Sequence, residues 1–422
     1  SAMKGHVSAM LNLGWCYSEG RGVTQDFTKS FEWYLKSAKK GNADAIFNVA
    51  LCYEKGRGVT QDFTKAYEWY LKSAHNGDAA AMNYIGICYL KGKGVTQDFT
   101  QAFEWFMKSA NKGNAAAMTV VGVCYEEGKG VTRDLTKAFE WFLKSANNGY
   151  VVAMNNVGKC YDEGEGVTQD FTKAFEWYLK AANNGNADAM NIVGRFNFKG
   201  QGVTQDFTQA FEWYLKSANN GNAAAMLNVG FCYEKGEGVT QDFNKAFEWY
   251  LKAANNGNVD AMNIVGRFYF KGQGVTQDFT KSFEWYLKGA NKGNTDAMNS
   301  VGWCYGHGRG VTQDLTKAFE WYLKSAENGC ALAMNNIGKC YSRGQGVTQD
   351  FTKAFEWMLK SANNGNADAI YNVGWCYNNG QGVTQDFTKA FEWYYKAASN
   401  GHIAAMQKLS NCYNNGQLWQ KQ

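Results

Sequence analysis

The triplet Gly22-Val23-Thr24 returns at Gly58, Gly94, Gly130 and onward to Gly382, always 36 residues apart and with no insertion or deletion. A fixed period of this length marks one supersecondary unit copied in tandem. It overrides the two or three globular domains that a chain of 422 residues would otherwise suggest.

With 45% hydrophobic and 16% aromatic residues, the chain can bury a large core, and the absence of proline fits short helices joined by glycine turns. The formal charge of +5 arises from 43 cations against 38 acids, and Lys and Glu recur in fixed columns rather than in runs. Charge alone therefore does not point to nucleic acid. No stretch of eighteen apolar residues occurs and the first residues lack a signal pattern, so no direct membrane insertion is expected.

In residues 42–77, the first helix is expected from Asn42 to Lys55, ending at Gly56, and the second from about Asp62 to Ala74, ending at Gly77. Asp62 suits an N-cap, because its carboxylate accepts orphan amide bonds and its charge suits the positive end of the helix dipole. Phe63, Ala66, Tyr67, Tyr70 and Ala74 form one apolar stripe, widened by Trp69. Ala45, Ile46, Val49, Ala50, Cys52 and Tyr53 form another on the first helix. Ala50 is replaced by Gly in most copies, which lets helices approach closely.

One hairpin cannot bury both stripes, so consecutive copies must stack. The expected fold is all-α, an alpha-alpha superhelix with two antiparallel helices per 36-residue repeat. Eleven repeats run 6–41, 42–77, 78–113, 114–149, 150–185, 186–221, 222–257, 258–293, 294–329, 330–365 and 366–401. Residues 402–416 form a C-terminal capping helix, with Ala405, Met406, Leu409, Cys412 and Tyr413 facing the core, and 417–422 are a tail. Residues 1–5 read as a cloning scar followed by the end of a preceding repeat, since Lys4-Gly5 aligns with Lys40-Gly41.

The pattern Ala-Met-x-x-Val-Gly-x-Cys-Tyr-x-x-Gly-x-Gly-Val from Ala153 to Val167, followed by Asp-x-x-Lys-Ala-Phe-Glu-Trp-Tyr-x-Lys-x-Ala from Asp170 to Ala182, resembles the Sel-1-like repeats, relatives of the tetratricopeptide repeats. The resemblance covers residues 4–416 and implies an adaptor that assembles protein complexes. Two features depart from it. Some secreted bacterial members carry a cysteine pair in each repeat, whereas Cys16, Cys52 and Cys88 stand singly, and Thr60 stands where the family often has proline.

Ten of the eleven cysteines share one column, where two repeats have Phe196 and Phe268, so the position asks for an apolar group. Equivalent residues in stacked units lie about 10 Å apart, beyond the roughly 7 Å Cα limit of a disulfide. Cys330 opens a first helix whose core thiol is Cys340, about 15 Å along it. Unpaired thiols favour a reducing, cytoplasmic compartment.

His6, His75, His307 and His402 share no column, and Cys304 with His307 supplies only two ligands, so no metal site is expected. The Gly-x-Gly follows a helix and lacks a third glycine, so it is a turn rather than a dinucleotide cradle. No cofactor and no catalytic residues are expected: Glu68 and Asp62 recur as a surface charge and a cap.

The columns that differ most between copies are those of Asp44, Phe47, Leu51, Glu54 and Lys55, spaced to share one face of the first helix opposite the core. The Leu51 column reads Trp15, Leu51, Ile87, Val123, Lys159, Arg195, Phe231, Arg267, Trp303, Lys339 and Trp375. In related solenoids the first helices line the concave surface. Trp15, Lys159, Arg195, Phe231, Arg267, Trp303, Lys339 and Trp375 are therefore the expected contacts for a protein or peptide partner, since aromatics and arginine dominate binding hot spots.

The expected function is a non-enzymatic adaptor, monomeric, that takes an extended or acidic partner segment. A one-unit-per-base RNA reader is the first alternative, but it needs a coherent base-reading pair that the mixed column lacks. Self-assembly through a repeat end is the second.

Overall fold

The computed structural model describes residues 6–414, with side chains through residue 410. Residues 1–5 and 415–422, with the expected scar and tail, lie outside the described residues, as do the side chains of Cys412 and Tyr413. Among the described residues there are 23 helices and no strand. They form an alpha-alpha superhelix of repeats that divides into two compact units, residues 1–213 and 214–422.

In repeat 2 the first helix is Ala43–Lys55 and the second Phe63–His75. Asn42 caps the first by accepting from the Ala45 amide at 2.8 Å, and Asp62 caps the second by accepting from the Lys65 amide at 3.0 Å. Gly56 closes the first helix at φ 65°, and the turn is tied by the Gln61 side chain donating to the Glu54 carbonyl at 2.7 Å. The first-helix cap column is less uniform. Tyr150 and Cys330 stand there without a side-chain cap bond.

The core lies mainly between repeats. Tyr34 and Ala38 of the second helix in repeat 1 pack with Ala45, Ile46, Val49 and Cys52 of the first helix in repeat 2. In the next cluster Tyr70 joins Ala50 of its own hairpin to Ala81, Met82, Ile85 and Cys88 of repeat 3. The second unit repeats this arrangement, with Tyr322 and Ala326 against Ala333, Ile337 and Cys340. The Gly in the Ala50 column matters at this wedge: a Cβ on Gly86 would fall 2.5 Å from the Phe106 ring.

A second close approach joins successive repeats within a unit. At Gly94, φ is 75° and a Cβ would lie 2.1 Å from the carbonyl oxygen of Phe63, in the repeat before. Any side chain there meets backbone, which cannot rotate away.

The last described helix is Ile403–Asn414, and residues 415–416 of the expected capping helix lie outside the described residues. Ala405 is buried, Leu409 half-buried, but Met406 is 47% exposed, so its expected place on the core face is not observed. His402 takes over the capping role, with Nδ1 accepting from the Ala405 amide at 3.2 Å.

Two outcomes follow from these contacts. Gly94→Ala should destabilise the chain by about 2–3 kcal/mol through backbone strain and overlap, read as a lowered melting temperature. The Asp caps at 26, 62, 134, 170, 278, 314 and 350 are held below the ordinary carboxylate value, first by the amide they accept from. Because the folded value is the lower one, their stabilisation is present above roughly pH 4 and lost as pH falls further. Thermal melts should steepen their loss below that pH, and Asp170→Asn should blunt it.

Candidate functional site

Adjacent first helices within a unit bring the Leu51 column of one repeat against the Glu54 column of the repeat before. In the first unit, Lys159 Nζ lies 3.0 Å from Glu126 and Arg195 lies 3.2 Å from Asp162. Lys159 also approaches Glu163 and Glu165, at 3.7 and 3.8 Å. In the second unit, Arg267 lies 3.2 Å from Glu234, and Trp303 meets Phe270 edge-on with ring centroids 5.2 Å apart. The cations and their acids from the preceding repeat are 33 residues apart in sequence.

The pairs extend inward. Glu234 accepts from the Tyr250 hydroxyl at 2.7 Å while it holds Arg267, so the variable face is bonded to the aromatic core wedge. Tyr70 and Glu54 make the same bond at 2.5 Å. Burial holds the Asp162 carboxyl above its ordinary value despite the Arg195 guanidinium, and the Glu126 carboxylate pushes the Lys159 ammonium up.

The expected face is therefore not simply opposite the core. Phe47 packs at a tilt against Tyr70 and edge-on against Tyr84 at the seam between repeats, and Leu51 and Trp303 are half-buried against core clusters. Trp15, Phe231 and Trp375 remain exposed, at 44%, 38% and 37%. Lys159, Arg195 and Arg267 are committed to carboxylates. Lys339 makes no ion pair among the described residues, because Gly306 stands where its acid would be.

Clefts open where the Glu54 column carries a small residue. In the first unit, Ser18 faces Leu51 across a cleft of about 70 Å³. In the second, Gly306 faces Lys339 across about 300 Å³, and Ser342 faces Trp375 across about 470 Å³. Leu315 and Phe351, at the starts of second helices, supply apolar walls. The Leu51 column supplies Lys339, Trp303 and Trp375, while Arg343, which lines both larger clefts, and His307, whose ring stacks on Trp303 at 4.1 Å, belong to the variable Lys55 column, whose residues are not among the expected contacts. The 33-residue offset between acid and cation columns is the signal in the sequence that separates satisfied cations from Lys339.

Eight cysteines of the column are buried and Cys16 is half-buried; burial pushes the buried thiols up, to about 11 at Cys52 and Cys88 and about 12 at Cys160, Cys232 and Cys304. Cys330, at a helix cap, is half-buried with its sulfur 4.0 Å from Asp296. No group of three His, Cys, Asp or Glu positioned for a metal ion occurs among the described residues. No helix among them is long and apolar enough to cross a membrane.

The Sel1 repeat model matches eleven consecutive segments, 7–42, 43–78, 79–114, 115–150, 151–186, 187–222, 223–258, 259–294, 295–330, 331–366 and 367–402. The crystal structure of c5321, a protective antigen present in uropathogenic Escherichia coli strains and displaying an SLR fold, aligns with a TM-score of 0.79 at 33% identity. That alignment covers 98% of this chain and 89% of the other. A Sel1 repeat protein from Oxalobacter formigenes aligns with a TM-score of 0.59 at 29% identity, over 77% of this chain and 93% of its own. A search of the curated proteins found no match.

The raised thiols carry a chemical outcome. The eight buried cysteines should resist a disulfide reagent at pH 8 in the folded chain, with Cys16 and Cys330 reacting first, and all should react in denaturant. Fast native labelling of Cys160 would contradict the burial.

Proposed function

We propose, from the premise that the chain belongs to the Sel1 repeat family, that it is a non-enzymatic scaffold whose first helices capture a segment of a protein partner. Sel1 repeat solenoids are common protein-interaction scaffolds. The observation that carries the finer reading is the contrast on one helix. In repeats 2 to 11 the inner face of the first helix keeps a buried Ala, a buried Val or Ile, and a buried thiol or Phe, while its outer columns change from repeat to repeat and leave Trp15, Phe231 and Trp375 exposed. Large aromatics left exposed mark interaction surfaces, and Trp375 also lines a cleft.

RNA binding is less well supported, because it draws on cations free to neutralise phosphate. Lys159, Arg195 and Arg267 are already neutralised within the fold. The recurring carboxylates offer no catalytic pairing either: Glu68 is exposed and Asp62 is spent as a cap.

Photo-crosslinking distinguishes the faces. A benzophenone side chain placed at Trp15 or Trp375 should trap a discrete protein from extract of the source cells, whereas one placed at Glu68 or Glu176 on second helices should not. Equal trapping from both faces would overturn the reading.

A further inference from the structure

We propose that the two clefts beside Lys339 form one composite site for an acidic segment of a partner protein, with carboxylates held by Lys339 and Arg343 and apolar residues seated on either side. The proposal rests on the reading that first helices carry the partner contact, and it names the chemistry that one stretch of that face selects.

Three cations of the Leu51 column, Lys159, Arg195 and Arg267, each meet an acid from the preceding repeat. At Lys339 that acid is replaced by Gly306, and the nearby caps Asp314 and Asp350 are paired with Lys317 and Lys353. Arg343 lies one helical turn further on the same helix, Ala331–Arg343, about 6 Å along the axis. Neither has a carboxylate partner among the described residues, so two adjacent positive charges face the clefts uncompensated. Paired carboxylates from outside would supply what the fold supplies elsewhere.

The walls add spacing. Trp303 lines the cleft on one side of Lys339 and Trp375 the cleft on the other. Asn336 and Asn372 also line these clefts, and each donates its amide to an asparagine of the preceding repeat, Asn299 and Asn335, at 2.9 and 3.0 Å. Packed helices are about 10 Å apart, and an extended chain advances about 3.3 Å per residue, so one repeat corresponds to roughly three ligand residues. The favoured segment therefore carries acidic residues at its centre with apolar residues about three positions away on both sides.

The fold itself provides a sharp variant. A Cβ on Gly306 would meet only Ala318 at 3.7 Å and the Tyr322 hydroxyl at 3.9 Å, which is ordinary contact. Gly306→Glu places an acid where Glu234 stands two repeats earlier, within reach of Tyr322 and Lys339, as Glu234 reaches Tyr250 and Arg267. It should neutralise Lys339 while keeping the melting temperature equal or higher, since a helical glycine is removed.

Fluorescence anisotropy tests this on the full chain. The probe is a fluorescein-labelled peptide with two adjacent Glu and a Leu three residues to either side, compared with its Gln counterpart. The Glu probe should bind more tightly than the Gln probe and lose about tenfold or more in affinity with Gly306→Glu or with Lys339→Gln plus Arg343→Gln. Lys137→Gln plus Lys173→Gln, an equal charge change on second helices, should leave binding intact. Equal binding of the Glu and Gln probes, lost on Trp375→Ala, would overturn the acidic site while leaving the first-helix reading in place. Binding of a single-stranded oligonucleotide but not of the Glu probe, or no binding of that probe at all, would also overturn it.

Discussion

Each repeat depends on one bulky apolar wedge, aromatic in every repeat but the one that carries Met358. The Tyr70 side chain, or Phe at 106 and 142, leaves the second helix, presses on the Ala or Gly of its own first helix, and meets the Ile or Val of the next repeat. This contact closes the hairpin and attaches its neighbour at once, so a repeat alone would expose the ring and its partners. The glycine opposite the wedge is a consequence of ring size: Gly86 and Gly122 have no room for a Cβ beside Phe106 and Phe142. Met358 shows that the demand is for apolar bulk, since it takes the same place and is equally buried.

Once the wedge and the turn contacts are set, the remaining first-helix columns carry a smaller share of the packing and can differ. Even so, they are not independent of one another. The Leu51 and Glu54 columns meet laterally, and the pairs they form range from ion pairs through an aromatic contact to open clefts. Half-exposed ion pairs of this sort contribute little stability, about 1 kcal/mol or less each. Changing a pair into a cleft therefore costs the fold little while altering what the surface can hold. The surface can vary along such an array without disturbing its architecture.

The repeat, both helices and the caps are legible in the sequence because they depend on local chemistry: Asp62 and Asn42 before helices, Gly56 after one, and apolar residues at helical spacing. Cys52 is legible as a packing residue because Phe196 and Phe268 replace it. The site is legible only in part. Lys159 and Lys339 occupy one column and look equivalent as letters, yet one is bonded to Glu126 and the other faces Gly306. That difference arises from a contact 33 residues away, across a seam whose register depends on helix packing. Met406 also departs from its column, being exposed where its equivalents Met82 and Met190 are buried.

If the wedge carries stability and the lateral columns carry recognition, the two should separate in a single transplanted chain. Repeats 9 to 11 would receive the Leu, Glu and Lys of repeat 2 at the Leu51, Glu54 and Lys55 columns, with every wedge residue retained. Thermal melting and capture of the crosslinked partner are then measured together. The predicted result is a melting temperature within a few degrees of the parent and loss of capture. Capture retained by a folded transplant, or a transplant that no longer folds, would contradict it.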